Sequence, residues 1–157
     1  MLAVIGYGNL LRRDDGAGPA LAEMVEKRFG QNKLKVIVTH QLVPELAEEL
    51  AGKEVTAVLF IDAGTNSDNE HEQVTIRPVA AWSSSPSLGH YFSPVDLLAY
   101  TELLRGTPLP AWQLTIHGSD FGYGEKLTAQ MEKKLVDAGE LLAVFIQENF
   151  GRPRADV

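Results

Sequence analysis

Three stretches of this chain leave little choice of architecture. "LAVIGYG" (Leu2 to Gly8), "LKVIVTH" (Leu34 to His40) and "VTAVLFIDAG" (Val55 to Gly64) are nearly unbroken apolar runs of strand length. A strand with one face in water alternates apolar and polar residues. A strand apolar on both sides must be covered on both sides, which is the habit of parallel sheets.

The segments between and after these runs supply the cover. In "DDGAGPALAEMVEKRFG", Ala20, Leu21, Met24, Val25 and Phe29 fall at helical spacing and Gly30 is a stop signal. "VPELAEELAG" has Pro44 at a first helical turn, acids near its start and Gly52 at its end, a short helix. "SPVDLLAYTELLRG" opens with Ser93 as N-cap, Pro94 at the first helical position and Asp96 at the third, a variant capping box. The final pattern places Leu127, Met131, Leu135, Ala138, Leu142 and Phe145 on one face of a long closing helix. "QVTIRPVA" (73–80) alternates and contains a proline, which marks an edge strand, and "AWQLTIHG" (111–118) is another strand.

The order β-α-β-α-β-β-α-β-α predicts one α/β domain over residues 1–150, with helices on both faces of a mostly parallel twisted sheet of about five strands. Right-handed crossovers favour strand order 2-1-3-5, with strand 73–80 antiparallel at an edge. Residues 151–157 read as a flexible polar tail.

Charge and composition narrow the partners. The chain carries 21 acids against 14 lysines and arginines, a formal charge of -7, which opposes a nucleic-acid partner. It has no cysteine, so a disulfide framework, a thiolate zinc site and a thiol nucleophile are excluded. The opening residues lack a basic n-region, and no apolar run approaches bilayer length. The expectation is a cytoplasmic protein without a membrane segment.

In open α/β sheets, ligands gather beyond the carboxyl ends of the strands where the winding reverses. With order 2-1-3 that crevice lies between strands one and three. Strand one delivers Asn9, Asp14 and Asp15 there, strand two His40 and Gln41, and strand three Asp62. The loop before the "SPVDLL" helix delivers His90, and the last strand delivers His117, Ser119 and Asp120.

Plain structural roles compete for each. One of Asp14 and Asp15 suits the cap of the following helix, and Asp62 suits a turn after a strand. Both aspartates cannot cap one helix end, so one carboxylate is left over. Two carboxylates and an imidazole meeting in one crevice would suit a divalent metal, because like charges at close range repel unless a cation sits between them. Nickel, zinc, manganese or iron fits such donors. The Gly6-x-Gly8 turn suggests a nucleotide-binding module, but Leu11, Asp14 and Asp15 oppose phosphate there. No H-E-x-x-H, G-x-S-x-G or Walker pattern is present.

"GYGNLLRRDDGAG", "HQLVPELAEEL", "FIDA", "GHYFSP" and "DFGYGEKLT" together resemble the hydrogenase maturation endopeptidases, in order over nearly the whole chain. The second and fifth blocks look most like the branch serving bidirectional, NAD(P)-linked hydrogenases. The resemblance implies an endopeptidase that trims the C-terminal extension of the large-subunit precursor of a nickel–iron hydrogenase, acting as a monomer. Carried over by motif, its nickel-reading and catalytic set is Asp15, Asp62 and His90, with the nickel supplied by the substrate. Asn9, His40 and Gln41 would touch the substrate. Many members of the family have Glu where Asp15 stands, and "HQLVPEL" replaces a glycine-rich loop of other branches. A chaperone that binds the hydrogenase without cutting it would share all of these features.

Overall fold

The structure is a computed structural model describing residues 1–65, 73–82 and 92–151. The tail beyond 151, His71 and His90 lie outside the described residues. Strands β1 (Leu2–Tyr7), β2 (Leu34–Thr39), β3 (Ala57–Gly64), β4 (Val74–Val79) and β5 (Ala111–His117) form a five-stranded sheet in the order β2-β1-β3-β5-β4. β1 pairs in parallel with β2 and β3, and β3 with β5. β4 closes the edge antiparallel to β5, with Pro78 opposite Trp112, where a missing N–H costs least. This is the predicted α/β order and edge.

The period-two register of the strands sorts their side chains into two cores. On one face Leu2 and Val4 of β1, Leu59 and Ile61 of β3 and Leu114 and Ile116 of β5 pack under helices α1 (Ala17–Phe29) and α4 (Ala129–Asn149). On the other, Ala3, Ile5, Val58 and Phe60 pack under α2 (Leu46–Leu50) and α3 (Pro94–Arg105). Leu59, Phe60 and Ile61 are all fully buried, as a strand covered on both faces requires.

The predicted capping box of α3 is present: Ser93 Oγ accepts from Asp96 N at 3.2 Å, and Asp96 Oδ2 accepts from Ser93 N at 2.9 Å. α4 buries Met131, Leu135, Ala138 and Leu142 as its pattern implied. α1 is turned slightly from the expected stripe, burying Ala17, Leu21, Ala22 and Val25 and leaving Met24 exposed. The reason is glycine. A Cβ on Gly6 would meet Gly18 O at 2.4 Å, and one on Gly18 would meet Ile61 O and Tyr7 O at 2.6 Å. The start of α1 therefore lies directly on the backbone of the sheet, and this close contact sets its rotation. Regular α2 begins only at Leu46. Pro44 belongs to a tighter turn in which its carbonyl accepts from Ala47 N.

Candidate active site

The columns that build the α2/α3 face do not stay apolar. On β1 the inward residues run Ala3, Ile5, Tyr7, and on β3 Val58, Phe60, Asp62. On β5, Ala111 is followed two residues later by Gln113. The β1 and β3 columns turn polar at their carboxyl ends, at Tyr7 and Asp62, and the β5 column turns polar at its third residue, Gln113. Tyr7, Asp62 and Gln113 floor a cleft of about 480 Å³.

Asp15 reaches the same cleft from a different element. A short 3-10 turn, Arg13–Gly16, carries the chain over the end of the sheet before α1 begins. Gly8 permits this approach, because a Cβ there would meet Asp15 O at 1.9 Å. Asn9 N then donates to Asp15 Oδ2 at 2.7 Å. Asn9, His40 and Gln41 also line the cleft, and Arg12 adds a positive charge to its wall. Arg12 is held by a 3.0 Å bond from its Nε to Phe121 O and by the ring of Tyr123, 5.7 Å from its guanidinium carbon.

The electrostatics follow from the geometry. Burial disfavours the charged form of Asp62, and the Asp15 carboxylate adds repulsion. The Tyr7 hydroxyl and the Ala63 N–H pull the other way, and the balance leaves Asp62 at about 6. Tyr7 is pushed up in turn by burial and by the charge of Asp62 beside it. Its hydroxyl bonds Asp62 and accepts from Gln113 Nε2 at 3.4 Å.

The adjacent Asp14 goes elsewhere. It is fully buried. Its Oδ2 accepts from Ser119 N at 2.9 Å, from Asp120 N at 3.3 Å and from Thr128 Oγ1 at 3.0 Å, and its Oδ1 accepts from Thr128 N at 2.9 Å. Burial opposes its ionisation, but the Thr128 and Ser119 amides, the Thr128 hydroxyl and the Asp120 amide together hold its carboxyl below the usual range. Two expectations change. Neither aspartate caps α1, whose N-cap is Gly16 with no side-chain bond. Asp14 instead ties the β5–α4 loop to the start of α4, where Thr128 is the cap. Ser119 and Asp120 serve that tie and are not among the residues lining the cleft. His117 turns away, with its Nδ1 2.5 Å from Thr65 O.

The structure thus brings together Asp15, Asp62, Asn9, His40 and Gln41. His90 lies outside the described residues, and among those described no group of three His, Asp or Glu is placed to hold a metal ion. Tyr7, Arg12 and Gln113 escaped the sequence reading. Their signal was present for Tyr7 and Gln113: a polar group interrupts an apolar strand column, at the carboxyl end of β1 and at the third residue of β5. A nucleotide-type turn is disfavoured physically, since the Asn9 amide that would face a phosphate already serves a carboxylate.

No protein-family model matches the chain, and no curated protein matches it. Solved structures do. The [NiFe] hydrogenase maturation protease HycI from Thermococcus kodakarensis KOD1 superposes with a TM-score of 0.70 at 16% identity, covering 93% of this chain and 92% of that one. The hydrogenase maturating endopeptidase HybD from E. coli gives a TM-score of 0.70 at 19% identity, covering 95% and 93%. An endopeptidase from Escherichia coli, solved in solution, gives 0.71 at 19%, covering 99% of each chain. At such identities the likeness establishes a shared fold along the full length. No helix among the described residues is long and apolar enough to cross a membrane.

Proposed function

We propose that this chain is an endopeptidase that removes the C-terminal extension of the nickel-loaded large-subunit precursor of a nickel–iron hydrogenase. One observation carries the reading: Asp15 and Asp62, from different elements, line one cleft at the carboxyl end of the sheet, and Asp15 pushes Asp62 up. A pair of carboxylates that repel one another is a site short of a cation. Structural neighbours that are hydrogenase maturation proteases support the assignment.

In this reading Asp15, Asp62 and His90 ligate open positions on the substrate's nickel, and the cleft accepts the chain that follows it. Asp62 half-protonated near pH 6 gives up its proton as the cation enters, so recognition strengthens as pH rises through that value. Tyr7 and Gln113 hold the Asp62 carboxylate in one orientation. Asn9, His40 and Gln41 contact the substrate tail. The reading takes the substrate from the branch of NAD(P)-linked hydrogenases and the protein as cytoplasmic and monomeric, meeting its substrate transiently.

Mass spectrometry of the large subunit's C-terminus tests this. Incubation with the protein is expected to shorten a nickel-loaded precursor, and Asp62→Asn and His90→Ala are expected to abolish that shortening while the fold survives. Normal trimming by both variants would overturn the assignment of the site. Binding of the precursor without any shortening would make the protein a chaperone instead.

A further inference from the structure

Beside the carboxylate cleft lies a second hollow, of about 350 Å³, with a different chemistry. Leu10, Leu11, Pro19 and Val38 supply its apolar walls, and no residue lining it is an acid or a lysine or arginine. Three of those side chains are large and unusually open to solvent for apolar groups: Leu10 is 59% exposed, Leu11 58% and Val38 42%. Exposed apolar side chains grouped around a hollow mark a place that something covers.

The backbone under these side chains is fixed. Asn9 Oδ1 accepts from Leu11 N at 2.9 Å, and Asn9 O from Arg12 N at 3.0 Å. Leu11 O accepts from Gly124 N at 2.9 Å, and Thr39 O from Gly8 N at 3.2 Å. The two leucines are thus held outward by a loop whose backbone is tied on both sides of Leu10, at Asn9 and Leu11. Val38 belongs to β2, the outermost strand on that side.

The hollow adjoins the cleft at the carboxyl end of the sheet, where Gly8, Asn9 and His40 line both and form the ridge between them. A polypeptide that leaves the carboxylates across this ridge meets an uncharged apolar hollow. We infer that this hollow is a subsite that takes an apolar side chain of the substrate peptide, a residue near the scissile bond, and so selects the sequence that is cut. The inference rests on the endopeptidase reading for its substrate. It adds the chemistry that the carboxylates cannot supply, since they recognise a cation and are indifferent to the side chains around it.

Two measurements on the full chain keep the two ideas apart. The first is a methyl NMR titration with a synthetic peptide spanning the precursor's cut, compared with a peptide whose apolar residues near the cut are replaced by serine. The methyl groups of Leu10, Leu11 and Val38 are expected to shift with the first peptide and not with the second. The second is the trimming rate of the nickel-loaded precursor. Leu11→Ser and Val38→Ser are expected to raise KM about tenfold or more, with a smaller change in kcat, the loss expected for one unburied apolar side chain. The serine-substituted precursor is expected to show a similar rise with the unaltered protein and no further rise with the variants. Trimming that ignores the serine substitutions and both variants, or methyl shifts that are the same for the two peptides, would overturn the subsite. Absence of trimming with sequence-dependent methyl shifts would instead overturn the endopeptidase reading and leave an apolar peptide site standing.

Discussion

Asp14 and Asp15 are neighbours in sequence and opposites in use. Asp14 is fully buried, and amides and hydroxyls of the β5–α4 connection surround it. Asp15 faces a cleft, accepts from Asn9 N and repels Asp62. One carboxylate is satisfied by donors and stabilises the fold. The other helps to create an unsatisfied electrostatic situation that a ligand can relieve. Proteins pay for functional sites with local instability, and here the stabilising and the destabilising acid sit on one turn. The stabilising one holds the loops that keep the other in place.

The largest expected effect comes from breaking the Asp14 side. Asp14→Ala leaves several buried donors without an acceptor, each worth about 1–3 kcal/mol. With partial rehydration the loss is expected to be about 3–5 kcal/mol, or a fall in Tm of about 10 °C or more by calorimetry at pH 7. The unaltered protein's dependence on acid has a defined direction. Because the folded-state pKa of Asp14 is lowered, its contribution is complete above the ordinary value of 3.8 and disappears as pH falls through the folded value. Asp14→Ala should therefore cost least in strong acid. A loss below 1 kcal/mol at pH 7 would mean that Asp14 is no tie.

Asp62 should behave in the opposite sense. It ionises at 3.8 in an ordinary setting and at about 6 in the folded protein. The folded state holds this proton more tightly, so its charge costs stability as pH rises from 3.8 through 6. Asp62→Asn is expected to stabilise the protein by about 1–3 kcal/mol at pH 8, the gain vanishing near pH 4, while trimming is lost. Chemical denaturation at the two pH values measures it. A variant destabilised at pH 8 would remove the strain on which the site argument depends.

How much of this the sequence disclosed depends on the kind of interaction. The sheet order was legible because β1, β2 and β3 are apolar on both sides, and only a few windings bury such strands. The Ser93 to Asp96 cap was legible because its partners are three residues apart. The cleft position of Asp15 and Asp62 followed from the strand order. The fate of Asp14 was not legible, since its donors come from Ser119, Asp120 and Thr128, more than a hundred residues away. Tyr7 and Gln113 were hidden for a related reason: each looks like a single polar interruption until the register sets it on the face that carries Asp62. The turned face of α1 was hidden in its glycines, whose effect appears only where Gly6 and Gly18 let two backbones touch.

The smallest expected effect is the most specific test of the Asp15 side. Asp15→Asn removes a charge and keeps an oxygen that can accept from Asn9 N, so stability at pH 7 should change by less than about 1 kcal/mol. The pKa of Asp62 should nonetheless fall, because the Asp15 charge is one of the two influences raising it. It should not return to 3.8, because burial is the larger of the two and Asp15→Asn leaves burial in place. Carbon-detected NMR titration of the Asp62 carboxyl group reads this directly. An Asp62 that titrates unchanged would mean that the two carboxylates do not feel one another, and a cleft whose acids are mutually indifferent has no electrostatic reason to seek a cation. An Asp62 that drops all the way to 3.8 would mean that water reaches it freely, and the hydroxyl of Tyr7 would then be orienting an ordinary surface acid.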